Sequence, residues 1–302
     1  MPVVHLSPIL LSLFSYQFFV LADVFTKQAG LAGLPVFQMT FIHSFVSASI
    51  LLLYVVFSKN WHHLHVSNWK LVGLRSIISP FNLGCSFFAL GLLPLHIFYT
   101  LVYLIPIYTA LMAAVILKEK TDTRTWLAIS AGLMGALIAI YGSADNTTYQ
   151  VDMIGVIVAL IGGILFACNQ LITRKASASE HRLALAFYPL TFNIIFSSIL
   201  CVIFFDDLKI GDPASGNMAL TGLFGLSGLF CNLAALKKGR AAPVVAMIYS
   251  QLPTGAVLGY FLYQQTPKPE TLMGAVIIIL AGLYLIWHES RPRPISDNIS
   301  TP

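Results

Sequence analysis

Asp23 and Lys27 stand four residues apart in "LADVFTKQAG" (residues 21–30), at the end of an apolar run, and His43, in "FIHSF", lies inside the next one. An acid followed by a base at this spacing shares one helical face in the order that favours an ion pair, and pairing lowers the penalty of a carboxylate in a low dielectric. The same carboxylate could instead gate a solute or take up a proton, and both readings stay open. His43, nine residues into its run, falls ~13 Å deep at ~1.5 Å per residue, near the centre of a bilayer. An imidazole there could hydrogen-bond a solute, carry a proton, or tie two helices together. Arg75, about seven residues into the third run, could clamp a carboxylate with its planar donor fork. Snorkelling to the nearby interface is the favoured reading for it.

Pro106 and Pro253 fall in the middle of two further apolar runs, where each removes a backbone donor and frees the carbonyl four residues earlier, at Val102 and Tyr249. Broken backbone of this kind is tolerated at membrane depth where it faces protein or a watery cavity, so hinge, ligand and packing roles are all open. Near these prolines lie Tyr99, Tyr103, Tyr249 and Gln251, and other runs contribute Tyr16, Gln17, Asn82 and Asn232. Rings and amides suit a small zwitterionic, cationic or aromatic solute. A polyphosphate would need several central Arg or Lys. "WHHLH" (61–65) offers His62, His63 and His65 as metal ligands, but no further histidine cluster joins them, and an interfacial loop is the better reading. No Gly-rich phosphate loop, nucleophile elbow or paired-carboxylate arrangement stands in a suitable context, so neither a cofactor nor a metal is expected.

The elements that must position these residues follow from composition. Of 302 residues, 57% are hydrophobic and only 10% charged, against roughly 25% charged in soluble domains. Windows of about 20 apolar residues, the length that crosses a hydrocarbon core, recur from end to end. The expectation is an all-α integral membrane protein with ten transmembrane helices, near 8–28, 34–57, 68–92, 96–117, 125–142, 152–173, 183–206, 217–236, 240–263 and 268–287. The first run has no Lys or Arg before it, which reads as a retained span and not a signal peptide. All four cysteines fall in apolar segments, so no disulfide or zinc site is expected.

Net charge is +5, and alternating loops place fourteen Lys and Arg on the face holding both termini, with only Lys27, Lys209 and Lys268 opposite. Because cytoplasmic loops accumulate these residues, both termini are expected in the cytoplasm and no nucleic-acid partner is implied. A shift of 147 positions lays the first five spans on the last five and carries Pro106 onto Pro253, Gly135 onto Gly282, Thr26 onto Thr173 and Lys27 onto Arg174. Five is odd, so the second set would enter the membrane in the opposite sense. The expected organisation is a first repeat over 1–146, a second, inverted five-helix repeat over 147–290 and a cytoplasmic tail over 291–302. Inverted repeats are a construction principle of secondary transporters.

Here the sequence resembles the drug/metabolite transporter superfamily, in its ten-span EamA-type branch. The likeness is carried by "FFALGLLPLHIFYTLVYLIPIYTALMAAVILKEK" (87–120), with its proline and with Glu119 just after the fourth span, and by "DVFTKQAG", "LRSII" (74–78) and "GAVIIILAGLYLIW" (274–287). His43 stands where many members carry arginine, and Gln264 and Gln265 replace the glutamate expected after the ninth span. The resemblance implies transport of an amino acid, an aromatic metabolite or an S-adenosylmethionine-like solute through a pathway of spans one to four and six to nine. It implies no cofactor. The expected site combines Tyr16, Gln17, His43, Asn82, Tyr99, Tyr103, Asn232, Tyr249 and Gln251 as solute ligands with Asp23, Lys27, Arg75, Pro106, Glu119 and Pro253 as gating or coupling residues. The partners expected are a small-molecule substrate, the lipid bilayer of a plasma or bacterial inner membrane, and a proton or exchanged solute, with the chain a monomer or homodimer. A membrane-embedded enzyme and a non-transporting receptor or structural subunit are the alternatives.

Overall fold

The structure, a computed structural model, describes residues 7–93, 98, 101–117, 122–143, 152–209, 211–251, 253–254, 257–258, 261 and 269–290. Tyr99, Glu119, the 146–147 boundary and the 291–302 tail lie outside the described residues. Every regular element among the described residues is helical: α1 (Pro8–Leu31), α2 (Val36–Ser58), α3 (Trp69–Leu92), α4 (Ile105–Met112), α5 (Thr123–Ser143), α6 (Met153–Ala176), α7 (Arg182–Ile203), α8 (Ala214–Lys238), α9 (Ala241–Ala246) and α10 (Pro269–Ser290). Six of them, α1 to α3 and α6 to α8, are long and apolar enough to cross a membrane.

Local chemistry sets the ends. Ser7 accepts from Leu10 N ahead of Pro8, Asn68 accepts from Leu71 N, and Asp152 accepts from Ile154 N and Gly155 N, each satisfying donors that a first helical turn leaves bare. α1 gives way to a turn in which Gly33 adopts φ +76°, a conformation open to glycine. The sequence placed Pro106 in the middle of a span near 96–117, where it would free the Val102 carbonyl. It lies instead in the first turn of α4, after a turn at Tyr103 and Leu104, where a missing N–H breaks no helical bond. Upstream of Pro253, α9 tightens into a 3₁₀ turn, Met247–Ser250. The fourth and ninth apolar segments are thus both interrupted shortly before prolines that the 147-residue shift superposes.

The packing has the same symmetry. α1 lies on α8 as α3 lies on α6, α2 touches α8 as α7 touches α3, and α2 with α7, α4 with α9 and α5 with α10 pair directly. Exchanging each helix with the one five places away leaves this set unchanged. The large apolar side chains point outward, among them Phe57 and Val202. Buried serines, threonines and amides lie inside, the distribution expected when lipid is the solvent. Small residues bring the long helices together: Ser15 Oγ donates to Gly228 O at 2.8 Å, and a Cβ at Gly228 would lie 2.7 Å from Phe19 and 3.0 Å from the Ser15 carbonyl.

The loops at the end of α2 are tied as well. Tyr188 donates to Leu64 O at 3.0 Å, and His63 stacks on His181 with ring centroids 3.9 Å apart. His181 Nδ1 also caps α7 by accepting from Leu183 N. Burial pushes the His181 imidazole down to about 4, with His63, Arg182, Lys237 and His62 acting in the same direction.

Two outcomes follow. Gly228→Ala overpacks the α1–α8 contact at a penalty of about 1–3 kcal/mol, read as a lower melting temperature in detergent. Gly84→Ala, where nothing lies within 4 Å of the added carbon, leaves melting unchanged or raises it. Because the folded protein prefers neutral His181, its contribution is complete above the ordinary histidine pKa of 6.5 and is lost as the pH falls from there toward about 4. His181→Asn keeps a capping acceptor and should lose less melting temperature between pH 7 and 5 than the wild type. Equal losses would remove His181 as the cause.

Candidate functional site

A central cavity of about 270 Å³ is walled by α1, α2, α3, the α4 region, α6, α7, α8 and the α9 region. None of its described lining residues comes from α5 or α10. Of the expected residues, Tyr16, Asp23, His43, Arg75, Asn82, Asn232 and Gln251 stand on this wall. Gln17, Tyr249 and Pro253 do not. They line a separate, almost wholly apolar cavity of about 310 Å³ between α1, α5, α10 and the α9 region, where Gln17 Nε2 donates to Ser250 Oγ at 2.9 Å and Thr254 donates to Gln17 Oε1. Tyr103 is buried between the two cavities' helices, its carbonyl accepting from Tyr249 Oη at 3.1 Å. Lys27 is half-buried on α1, and the cavity wall contains neither it nor Pro106. Among the described residues Asp23 makes no hydrogen bond or ion pair, so the four-residue spacing does not produce a pair here.

Arg75 differs most from expectation. It does not snorkel: 5% exposed, it donates from Nε to Thr173 Oγ1 at 2.6 Å and from Nη1 to Leu185 O. The reason lies in α7. Pro189 stands four residues after Leu185 and has no N–H, so the Leu185 carbonyl has no helical donor. The Arg75 guanidinium supplies one, which holds α3 to α6 and α7 and leaves further donors at the cavity wall.

His43 is seated by a glycine. A Cβ at Gly225 would lie 2.5 Å from the ring's Cε1, and Phe87 meets the ring edge-on at 6.4 Å. His43 Nδ1 is buried without a hydrogen-bond partner, as are Tyr16 Oη, Asn82 Oδ1, Asn193 Oδ1 and Asn232 Nδ2. These five atoms belong to residues from α1, α2, α3, α7 and α8 that wall one chamber.

Asn193, Asn169, Gln170 and the rings of Phe19 and Phe166 are wall residues that the sequence reading did not single out. The shift of 147 carries Phe19 onto Phe166 and Asp23 onto Gln170, so this correspondence links three of them to the wall. Asn193 carried the simpler signal of an amide at membrane depth.

The model of the EamA-like transporter family matches the chain twice, over residues 6–141 and 153–287. The chain belongs to the EamA-like transporter family. It is a multi-pass membrane transporter and not an enzyme. The S-adenosylmethionine uptake transporter of Rickettsia bellii (strain RML369-C) is 27% identical over 282 residues, 89% of each chain. The pseudopaline exporter of Pseudomonas aeruginosa (strain PAO1) is 22% identical over 92% of this chain and 95% of its own. The riboflavin transporter of Brucella anthropi is 23% identical over 89% and 94%. One crystal structure superposes with a TM-score of 0.77 over 93% of the transporter and 97% of the other chain at 14% identity, a likeness of fold alone. The EamA matches begin at residues 6 and 153, the displacement that superposes the two prolines.

The Arg75 account makes a testable statement. Arg75→Ala strands the Leu185 carbonyl and should lower stability by about 1.5–3 kcal/mol. In a Pro189→Ala background, where residue 189 regains an N–H, the same change should be milder. Equal losses in a double-mutant cycle by detergent melting would separate the two residues.

Proposed function

We propose that the protein carries a small polar organic solute across its membrane by alternating access, with the central cavity as the binding site between two inverted five-helix repeats. The observation that carries the reading is the set of unpartnered polar atoms on Tyr16, His43, Asn82, Asn193 and Asn232 around one chamber. A buried polar atom left without a partner costs about 1–3 kcal/mol, so a wall holding five is completed by water or by a polar solute. Asp23 and Arg75 add one acid and one base to that wall, while Phe19, Phe87, Phe98 and Phe166 add rings. A zwitterion with a cationic centre suits all three features: carboxylate toward Arg75, cation toward Asp23 and the ring faces. Amino acids and S-adenosylmethionine are solutes of this class, and the latter agrees with the names of four Rickettsia relatives.

The inverted repeat is supported by the two family matches and by a packing pattern that survives exchange of each helix with its counterpart five places on. An odd number of spans per repeat reverses the second one, and the excess of Lys and Arg on one face supports cytoplasmic termini in a bacterial inner membrane or a plasma membrane. Asp23 and His43 are the groups available for proton coupling. Tyr103, Pro106 and Pro253 act behind the wall, at the interruptions where the fourth and ninth segments can bend.

Purified protein in liposomes should accumulate labelled S-adenosylmethionine or an amino acid in exchange for internal solute. Arg75→Gln should cut that flux at least tenfold, and absence of flux for every zwitterion tested would overturn the reading. If Asp23 couples a proton, Asp23→Asn should abolish the response to an imposed pH gradient while solute exchange persists. A variant that still responds to the gradient would acquit Asp23.

A further inference from the structure

The two ends of the bundle carry different cross-ties at positions that the repeat makes equivalent. At one end the α7–α8 loop reaches the α1–α2 loop: Lys209 Nζ donates to Ala32 O at 2.6 Å, while Gln38 Nε2 donates to Lys209 O and Lys209 N to Gln38 Oε1, both at 3.0 Å. At the other end the α6–α7 loop reaches the α2–α3 loop: the Glu180 carboxylate accepts from Asn68 N at 2.7 Å and Ser67 N at 3.1 Å. The shift of 147 carries Ala32 onto Ser179, beside Glu180, and His62, in the α2–α3 loop, onto Lys209. Both ties therefore join the same pair of loops under the repeat, one at each end. The 23 residues of α2 separate them, ~34 Å at ~1.5 Å per residue.

We infer that Glu180 and Lys209 are the two latches of the transport cycle, each holding one end of the central cavity shut. The inference rests on the transport reading and names its gating residues, neither of which belongs to the cavity wall. The chemistry at each end is fitted to a contact that forms and breaks. Glu180 is 2% exposed, and its charge sits on the bare amides at the start of α3, where the helix dipole favours an anion. When that end opens, the carboxylate and both amides pass to water, so the contact can be exchanged without stranding a buried group. Lys209 is exposed, and its ammonium lies over Gly33, where a Cβ would come within 2.8 Å of Nζ. Opening at that end releases the ammonium and the Ala32 carbonyl, together with the Gln38 amide and the two Lys209 backbone groups that it pairs with. Both latches are closed in this structure. Alternating access requires that they open in turn, so loss of one should open its own end and leave the other shut.

Spin-label distances across each end test this without any solute. One label pair at Leu31 and Asp207 spans the Lys209 end, and a second at Lys59 and Ala178 spans the Glu180 end, all four positions being exposed. In liposomes, Lys209→Ala combined with Gln38→Ala, which together remove all three contacts of that tie, should add a longer-distance component to the first pair alone, and Glu180→Gln should add one to the second pair alone. Unchanged distances in both variants, or lengthening of both pairs in either variant, would overturn the latch assignment. Lys209 is on the surface and Gln38 stands in the first turn of α2, so this arm leaves the helix core in place and decides even if Glu180→Gln fails to insert. If the distances respond as expected while no solute is carried, the latches stand and the transport reading falls. If solute is carried while the distances are unmoved, the latches alone fall.

Discussion

A polar group inside a membrane protein has no bulk water to fall back on, and the interior here is organised around that constraint. Most buried hydroxyls are settled locally: Thr26, Thr40, Thr173 and Ser197 each donate to the carbonyl four residues earlier. Arg75 is settled by a proline that frees a carbonyl for it across a helix interface. Of the buried side-chain atoms left without a partner among the described residues, those of Tyr16, His43, Asn82, Asn193 and Asn232 converge on one chamber, while others, such as Ser44 Oγ and Thr109 Oγ1, lie elsewhere. Stability and function are thus in tension at the same residues, since the wall that would bind a solute is where five of the unpartnered atoms gather.

The long helices were legible because span length, capping residues and loop charge are local properties. α1, α2 and α3 begin and end within a few residues of where apolar runs and caps place them. The displacement of 147 was legible too, since prolines and span ends move together, and the family matches start at the same separation. What a single chain could not disclose is azimuth. Tyr16 and Gln17 are neighbours in sequence but stand ~100° apart around α1, and they face different cavities. Arg75 was misjudged for a related reason: the carbonyl that holds it becomes available only through Pro189, more than a hundred residues away.

The displacement of 147 also relates the ties at the two ends of α2, which are alike in placement and unlike in chemistry. Loops related by that displacement meet at the two ends of α2, one through a carboxylate on backbone amides and the other through a lysine on a carbonyl. In a carrier with one chamber, the balance between the two ends sets which way the chamber faces at rest. The peripheral pair, α5 and α10, takes no part in this and packs chiefly on itself.

The claim beneath all of this is that water and small solutes reach the centre of the bundle. In a background lacking Cys85, Cys168, Cys201 and Cys231, a cysteine at Asn193 should react with a small charged methanethiosulfonate, while one at Ile195, mid-way along α7 on the outer surface of the bundle and 54% exposed, should stay inert. An inert cysteine at 193 alongside a fully reactive loop control would mean a dry interior, and the account would not stand.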